Sequence, residues 1–403
     1  MIRVLMVSDV YFPRINGVST SMETFRRALA RQDVEVRLAV PRYADEADEP
    51  GVVRVPGRRL PNDPEDRLLS WRGMHRAVRA AAAGCDLIHI QTPFVAHYAG
   101  LAAARHHNLP ALVTYHTLFE EYLQHYVPFL PATWLRGLAR RFSRRQCNSV
   151  DAVVVPSSAM AQRLGSYGVR TPMAILPTGI PLARFAGGDG AAFRASHGIA
   201  PEQPLALFVG RVAHEKNIGF LLDAFGHALA HCPDALLLIT GEGPAMDDLR
   251  RQADRLGIAD SVRFLGYLDR QRALPDCYAA ANLFVFASRT ETQGLVLLEA
   301  LAAGTPVVAL SAMGTADILA DTPGCIAPPD DPRAFGEIVG TLLADPAACQ
   351  ALAAQTLQAA AHWSDDATAE RLAHFYRQTL ASHAAHGQIA QPAVQAEQPA
   401  AGK

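Results

Sequence analysis

Short, continuously apolar runs alternate with helical segments along nearly the whole chain, and this alternation restricts the fold more than any other feature. In the first half the runs occupy residues 3–7, 36–40, 86–90, 111–115, 152–155 and 174–176, and in the second half residues 205–209, 235–240, 262–265, 283–286 and 305–309. Between them, residues 21–31, 218–231, 246–256 and 294–303 show helical periodicity. A strand that is apolar on both sides has to be covered on both sides, so the pattern predicts an α/β protein with parallel sheets flanked by helices. At 403 residues the chain is long for one core, which predicts two such Rossmann-like domains.

The composition shifts once in the middle. Ala186-Gly187-Gly188-Asp189-Gly190 reads as a flexible stretch between the two series of strands. The expected division is a first domain over 1–182, a hinge over 183–203 and a second domain over 204–363. A terminal helix over 364–385 is expected to pack back on the first domain, with Ser364 as N-cap and acids in its first turn, followed by a disordered tail over 386–403. Two domains around a hinge leave a cleft, where ligands usually bind.

Several function classes recede. A net charge of −2 provides no field to recruit nucleic acid. The six cysteines (Cys85, Cys147, Cys232, Cys277, Cys325, Cys349) are scattered, with neither CxxC nor zinc spacing, so no metal site is expected and a reducing compartment is. The first apolar run is a better strand than signal peptide, and no stretch approaches the roughly 20 apolar residues of a membrane-spanning helix. The expected location is cytoplasmic, at most peripheral to a membrane.

The chemistry-bearing residues collect where strands end. Glu291-Thr292-Gln293-Gly294-Leu295-Val296-Leu297-Leu298-Glu299 follows the run 283–286, so Glu291 lies at a strand's carboxyl end and Gly294, Leu295 and Val296 open a helix. Open α/β sheets bind ligands at that edge, and a helix start offers free N–H groups to an anion. Two carboxylates flanking a helix are, taken alone, equally at home in solvent. The run 205–209 leads into Gly210-Arg211-Val212-Ala213-His214-Glu215-Lys216-Asn217, which places Arg211 and Lys216 at the same edge; a fork and a point charge suit a diphosphate, a solvated basic loop being the plainer alternative. Thr240-Gly241-Glu242-Gly243-Pro244 lacks the third glycine of a dinucleotide fingerprint and reads as a turn lining the cleft. Gly266-Tyr267 is another strand-end turn, whose backbone could hold a nucleobase. In the first half, Asn16-Gly17-Val18 precedes a helix and permits close approach of a phosphate or sugar, while His116 stands at the end of the run 111–115.

Taken together, Glu291 with Glu299, Gly210-Arg211 with Glu215-Lys216-Asn217, the Asn16-Gly17-Val18 loop and Tyr115-His116-Thr117 make the chain resemble a retaining glycosyltransferase of GT-B architecture, in the family called group 1 or family 4. The resemblance covers both expected domains. It implies that Arg211 and Lys216 grip the donor diphosphate, Glu299 binds the ribose hydroxyls and Glu291 lies near the transferred sugar. It further implies that Gly294, Leu295 and Val296 supply backbone donors, that His116 approaches the sugar C6 hydroxyl and that Gly17 approaches the phosphates. Many members have Gly-Gly where this chain has Asn16-Gly17; that version resembles a subgroup with lipid glucosyltransferases and mannosyltransferases. Two cations and a helix N-terminus can stabilise a departing nucleoside diphosphate without a metal, so no cofactor is expected beyond a UDP-glucose or GDP-mannose type co-substrate.

On the acceptor side, residues 115–131 are dense in aromatic and apolar side chains. Residues 133–148 then carry Arg136, Arg140, Arg141, Arg144 and Arg145 without an acid, interleaved with Trp134, Leu135, Leu138 and Phe142. Such a basic amphipathic helix suits an anionic membrane surface as well as a core with a solvated basic face. The expected activity is transfer of a hexose to a lipid or lipid-linked glycan. The alternatives are a nucleotide-sugar epimerase of the same fold and a non-catalytic nucleotide-sugar-binding protein. A dehydrogenase is disfavoured by the missing fingerprint.

Overall fold

The computed structural model describes residues 1–14, 16–47, 49–60, 63–116, 132–270, 272–320 and 322–389. Its strands are β1 Ile2–Val7, β2 Val34–Arg42, β3 Val52–Leu60, β4 Asp63–Leu69, β5 Leu87–Ile90, β6 Ala111–Thr114, β7 Ala152–Val155, β8 Met173–Ile175, β9 Leu205–Val209, β10 Leu236–Thr240, β11 Val262–Gly266, β12 Leu283–Phe286, β13 Val307–Ala309 and β14 Cys325–Ile326. Two sheets result, ordered β4-β3-β2-β1-β5-β6-β7-β8 and β11-β10-β9-β12-β13-β14. These are two Rossmann-like layers, parallel throughout except where β4 runs antiparallel to β3.

The central strands are buried on both faces, as their unbroken apolar runs require: β9 is buried at every residue, and β1 from Val4 to Val7. Strands β3, β4 and β14 fall outside the expected runs. Val52–Leu60 carries Arg54, Pro56, Gly57, Arg58 and Arg59, a pattern without a continuous apolar stretch, next to the edge strand β4. One face of the first sheet packs against helices Trp71–Ala81, Val95–His107 and Ser158–Ser166 and the end of helix Ala132–Cys147. The other face receives Gly17–Leu29 and the terminal helix Asp365–Ile389.

Two local readings are corrected by packing. The stretch read as a flexible hinge contains helices Leu182–Phe185 and Gly190–Ser196, whose Phe185 and Phe193 are buried in the second core. A Cβ at Gly188 would lie 2.4 Å from the Pro275 carbonyl oxygen, and one at Gly190 2.4 Å from that of Ala279, so these glycines serve close approach. The terminal helix continues through Ile389 instead of stopping at residue 385. The Ser364 hydroxyl accepts from Ala367 N–H at 3.2 Å, and Ala369, Leu372, Ala373 and Tyr376 join Val4 and Met6 in the core beneath the first sheet. Residues 390–403 of the expected tail lie outside the described residues, as do 117–131 of the aromatic segment. No described helix is long and apolar enough to cross a membrane.

Candidate active site

At the carboxyl edge of the second sheet, the loops after β9 and β12 are laced together. Asn217 takes a left-handed conformation (φ +55°) at the start of helix Ile218–Ala228, and its amide donates to the Ala287 carbonyl at 3.0 Å. The Ser288 hydroxyl reaches the Glu215 carbonyl at 3.3 Å. This lacing brings the half-buried Lys216 ammonium onto the Glu291 carboxylate as an ion pair, across 75 residues of sequence. Arg211 remains exposed and pairs with Glu215 four residues on. The turn carrying Glu291 is held from below: Gly314 N–H donates to the Glu291 carbonyl at 2.8 Å, and a Cβ at Gly314 would sit 2.2 Å from the Thr292 carbonyl oxygen.

Glu299 sits within helix Leu295–Ala302, which begins after Gly294 at φ +93°. It is almost fully buried, and a buried carboxylate needs partners. One oxygen pairs with the Arg270 guanidinium and the other accepts from the buried Tyr278 hydroxyl at 2.9 Å. The Glu299 charge holds the Arg270 guanidinium above its ordinary range, and burial together with that carboxylate pushes the Tyr278 hydroxyl well up. Arg270 and Tyr278 escaped the sequence reading; the available signal was that a glutamate on an otherwise apolar helix must find a cation.

Tyr267 is exposed beyond Gly266, whose carbonyl accepts from Gly241 N–H at 2.7 Å and from the Thr240 hydroxyl at 2.9 Å. The Gly241-Glu242-Gly243 turn serves packing. A Cβ at Gly241 would lie 1.8 Å from the Gly210 carbonyl oxygen, and one at Gly243 2.2 Å from that of Val212. These glycines let the loops after β9 and β10 touch through their backbones, which is why the turn resembles half a fingerprint.

On the first sheet, Asn16 caps helix Gly17–Leu29 by accepting from Ser19 N–H at 2.9 Å, and the space where a Gly17 side chain would begin is open. His116 lies at the end of β6 with Nε2 2.9 Å from Gln91 Oε1. Burial pushes this imidazole down to about 4, so it is neutral at pH 7. An acceptor facing Nε2 places the proton there and leaves Nδ1 as an acceptor. Beside Gln91, Thr92 donates to Asp9 at 2.8 Å, and Asp9 also accepts from Ala96 N–H at 3.1 Å. Burial pushes the Asp9 carboxyl up to about 6 against those hydrogen bonds. Gln91, Thr92 and Asp9 were also missed, being ordinary strand-end residues until their neighbours are known.

The two carboxyl edges face each other and are joined by direct contacts. The Gln293 side chain, within the donor-side turn, accepts from Thr178 N–H at 2.8 Å and donates to the Thr178 carbonyl at 2.7 Å. The Thr178 hydroxyl donates to Ser21 at 2.7 Å, on the helix that Gly17 begins. Asp317 accepts from Ser158 N–H at 2.6 Å and from the Ser158 hydroxyl. Lys216, Glu291, Gly294 and Glu299 thus share one edge, His116 and Gly17 the other. Arg136, Arg140, Arg141, Arg144 and Arg145 are exposed on helix Ala132–Cys147.

Comparison with known proteins agrees with this architecture. Residues 189–359 match the family described as glycosyl transferases group 1, and residues 15–184 match glycosyltransferase family 4. The chain is 34% identical over 320 residues to an alpha-monoglucosyldiacylglycerol synthase of Streptococcus pneumoniae, covering 76% of this chain and 70% of that protein. It is 28% identical over 318 residues to the Acholeplasma laidlawii protein of the same name, covering 76% and 79%. In structure it resembles a sucrose-phosphate synthase from Thermosynechococcus elongatus, with TM-score 0.75 at 23% identity over 95% of this chain and 100% of that one, a likeness of fold.

Proposed function

The chain belongs to the group 1, family 4 glycosyltransferases, and from that premise we propose that it transfers a hexose, with retention, from a nucleoside-diphosphate sugar to a lipid or lipid-linked glycan. The observation that carries this reading is the convergence of Lys216, Glu291 and Glu299 on one sheet edge that Gln293 ties to the other. A donor of the UDP-glucose or GDP-mannose type would lie along that edge. Glu299, held by Arg270 and Tyr278, is oriented for the ribose hydroxyls. Arg211, Lys216 and the N–H groups of Gly294, Leu295 and Val296 face the diphosphate. Tyr267 closes the base end, and His116 and Gly17 approach the sugar and phosphates from the opposite sheet.

In the reaction the bond from the anomeric carbon to the diphosphate oxygen breaks, and charge grows on the leaving group. Fixed cations and a helix start stabilise that charge more than the ground state, so no metal is needed in this scheme. The acceptor oxygen attacks from the same face, and its proton passes to the departing phosphate. Glu291 is paired with Lys216, so its role is to aim the ammonium; it is assigned no nucleophilic step. The lipid acceptor is supported by the two diacylglycerol-modifying relatives.

The test is a screen of nucleotide sugars against lipid acceptors in the presence of a chelator, reading product mass and anomeric configuration. An α-linked glycolipid from an α-linked donor is expected. Donor hydrolysis or isomerisation without an acceptor would replace this reading by the epimerase.

A further inference from the structure

Strands β5 and β6 carry a polar column on a face that is otherwise apolar. Leu87 and Leu112 belong to the core beneath helices Gly17–Leu29 and Asp365–Ile389. Side chains alternate along a strand, so His89, Gln91, Thr114 and His116 follow on that same face toward the carboxyl edge. They pair in two rungs. In the lower one, His89 Nδ1 lies 2.7 Å from the buried Tyr376 hydroxyl of the terminal helix, and its Nε2 lies 2.7 Å from the Thr114 hydroxyl. In the upper one, at the edge itself, His116 Nε2 lies 2.9 Å from Gln91 Oε1.

The upper rung is held in one orientation from both strands. Gln91 is buried, and its backbone N–H donates to the Val7 carbonyl at 2.8 Å. The next residue, Thr92, accepts from Asp9 N–H at 2.7 Å and donates to the Asp9 carboxylate at 2.8 Å. On the other strand, Tyr115 N–H donates to the Val154 carbonyl at 2.9 Å, which fixes the backbone leading to His116. A carboxamide oxygen accepts and cannot donate, so the Nε2 that faces it keeps the proton of the neutral ring. Nδ1 is then a lone-pair acceptor, and among the described residues it has no partner.

An acceptor at that point asks its ligand for a hydrogen. The primary hydroxyl at C6 of a hexose supplies one. A pentose has no group there, and the carboxylate of a hexuronic acid sets its own lone pairs against that of Nδ1. We propose that Gln91 is a specificity-determining positioning residue: by keeping the His116 proton on Nε2, it makes the site select a hexose with a free C6 hydroxyl and reject the corresponding hexuronate. This rests on the proposed transfer reaction, in which His116 approaches the transferred sugar, and it names which sugars that site admits. Gln91 acts through His116 and is assigned no contact with the reacting atoms.

The test measures kcat/KM of the full chain for UDP-glucose, UDP-xylose and UDP-glucuronate with dioleoylglycerol in detergent micelles. GDP-mannose and GDP-mannuronate replace them if the donor screen assigns the mannosyl donor. A polar group left unpaired in a closed site costs roughly tenfold to a hundredfold, so the parent should prefer UDP-glucose at least about tenfold over UDP-xylose. Against UDP-glucuronate the preference should be at least about a hundredfold. In Q91L the proton is free to move to Nδ1, which then donates to a carboxylate, and the glucose-to-glucuronate ratio should fall at least about tenfold. T114V removes only the lower rung; it should lower the melting temperature and leave that ratio in place. The parent alone gives an independent reading: nitrogen NMR of the histidine-labelled chain, with H116Q to assign the signal, should show Nε2 protonated at pH 7. A proton on Nδ1, an unchanged ratio in Q91L, an equal change in T114V, or a parent that takes UDP-glucuronate as readily as UDP-glucose would overturn the role of Gln91 and leave the transfer reaction standing. Absence of transfer from both glucosyl and mannosyl donors would instead remove the proposed function, and this selection with it.

Discussion

Replacing Gln293 by Leu should loosen the link between the two sheets without unfolding either. The side chain is buried and satisfies both backbone groups of Thr178, at 2.8 Å and 2.7 Å. Leucine fills similar space but leaves that N–H and carbonyl unpaired. Each orphaned buried group costs about 1–3 kcal/mol, so the joined arrangement should lose roughly 2–6 kcal/mol. The chain can escape part of this by parting the edges and letting water in, which caps the cost at the free energy of joining. At the low end, 2 kcal/mol is about thirtyfold in the ratio of joined to parted forms. The expected outcome is a larger radius of gyration by solution scattering and a KM for the nucleotide sugar raised at least about tenfold. The melting transition should shift little. An unchanged radius with unchanged KM would refute the reasoning and reduce Gln293 to ordinary packing.

Lys216→Ala should lower kcat/KM on the order of a hundredfold, because it strips Glu291 of its partner and, in the proposed scheme, removes a fixed cation from the leaving group; kinetics equal to the parent would take Lys216 out of the site. Stability should fall as pH drops below about 6.5. Burial pushes His89 down to about 3 and His97 and His116 to about 4, so their folded forms stay neutral where the unfolded chain takes up protons. Each such histidine contributes stability that is present above about 6.5 and lost toward its folded value, at up to about 1.4 kcal/mol per pH unit. Asp9, raised to about 6, has the opposite sign and offsets one of the three. Denaturant unfolding at pH 7 and pH 5 measures the balance, and equal stability at both would contradict these burials.

Much of the architecture was legible in one dimension. Continuous apolar runs marked the buried strands, and the positions of Arg211, Lys216, Glu291 and Glu299 just past strand ends or in the next helix marked an edge. Where the pattern was polar it failed: the edge strand β4 and its neighbour β3 carry arginines where a buried strand has valines. Glycine misled at Gly188 and Gly190, where it signals backbone contact rather than looseness; at Gly241 and Gly243, read from the start as a turn and not a dinucleotide fingerprint, it serves loop packing.

The amino-acid sequence alone thus determined two parallel sheets and the edge on which chemistry would gather, because burial and side-chain period are local properties of a strand. Only the tertiary structure decided which charges meet. Lys216 finds Glu291, Glu299 finds Arg270 and Tyr278, and Gln293 grasps Thr178 across the two sheets. Such contacts join residues far apart in the chain, and their geometry comes from strand register and helix packing, which no local spacing records.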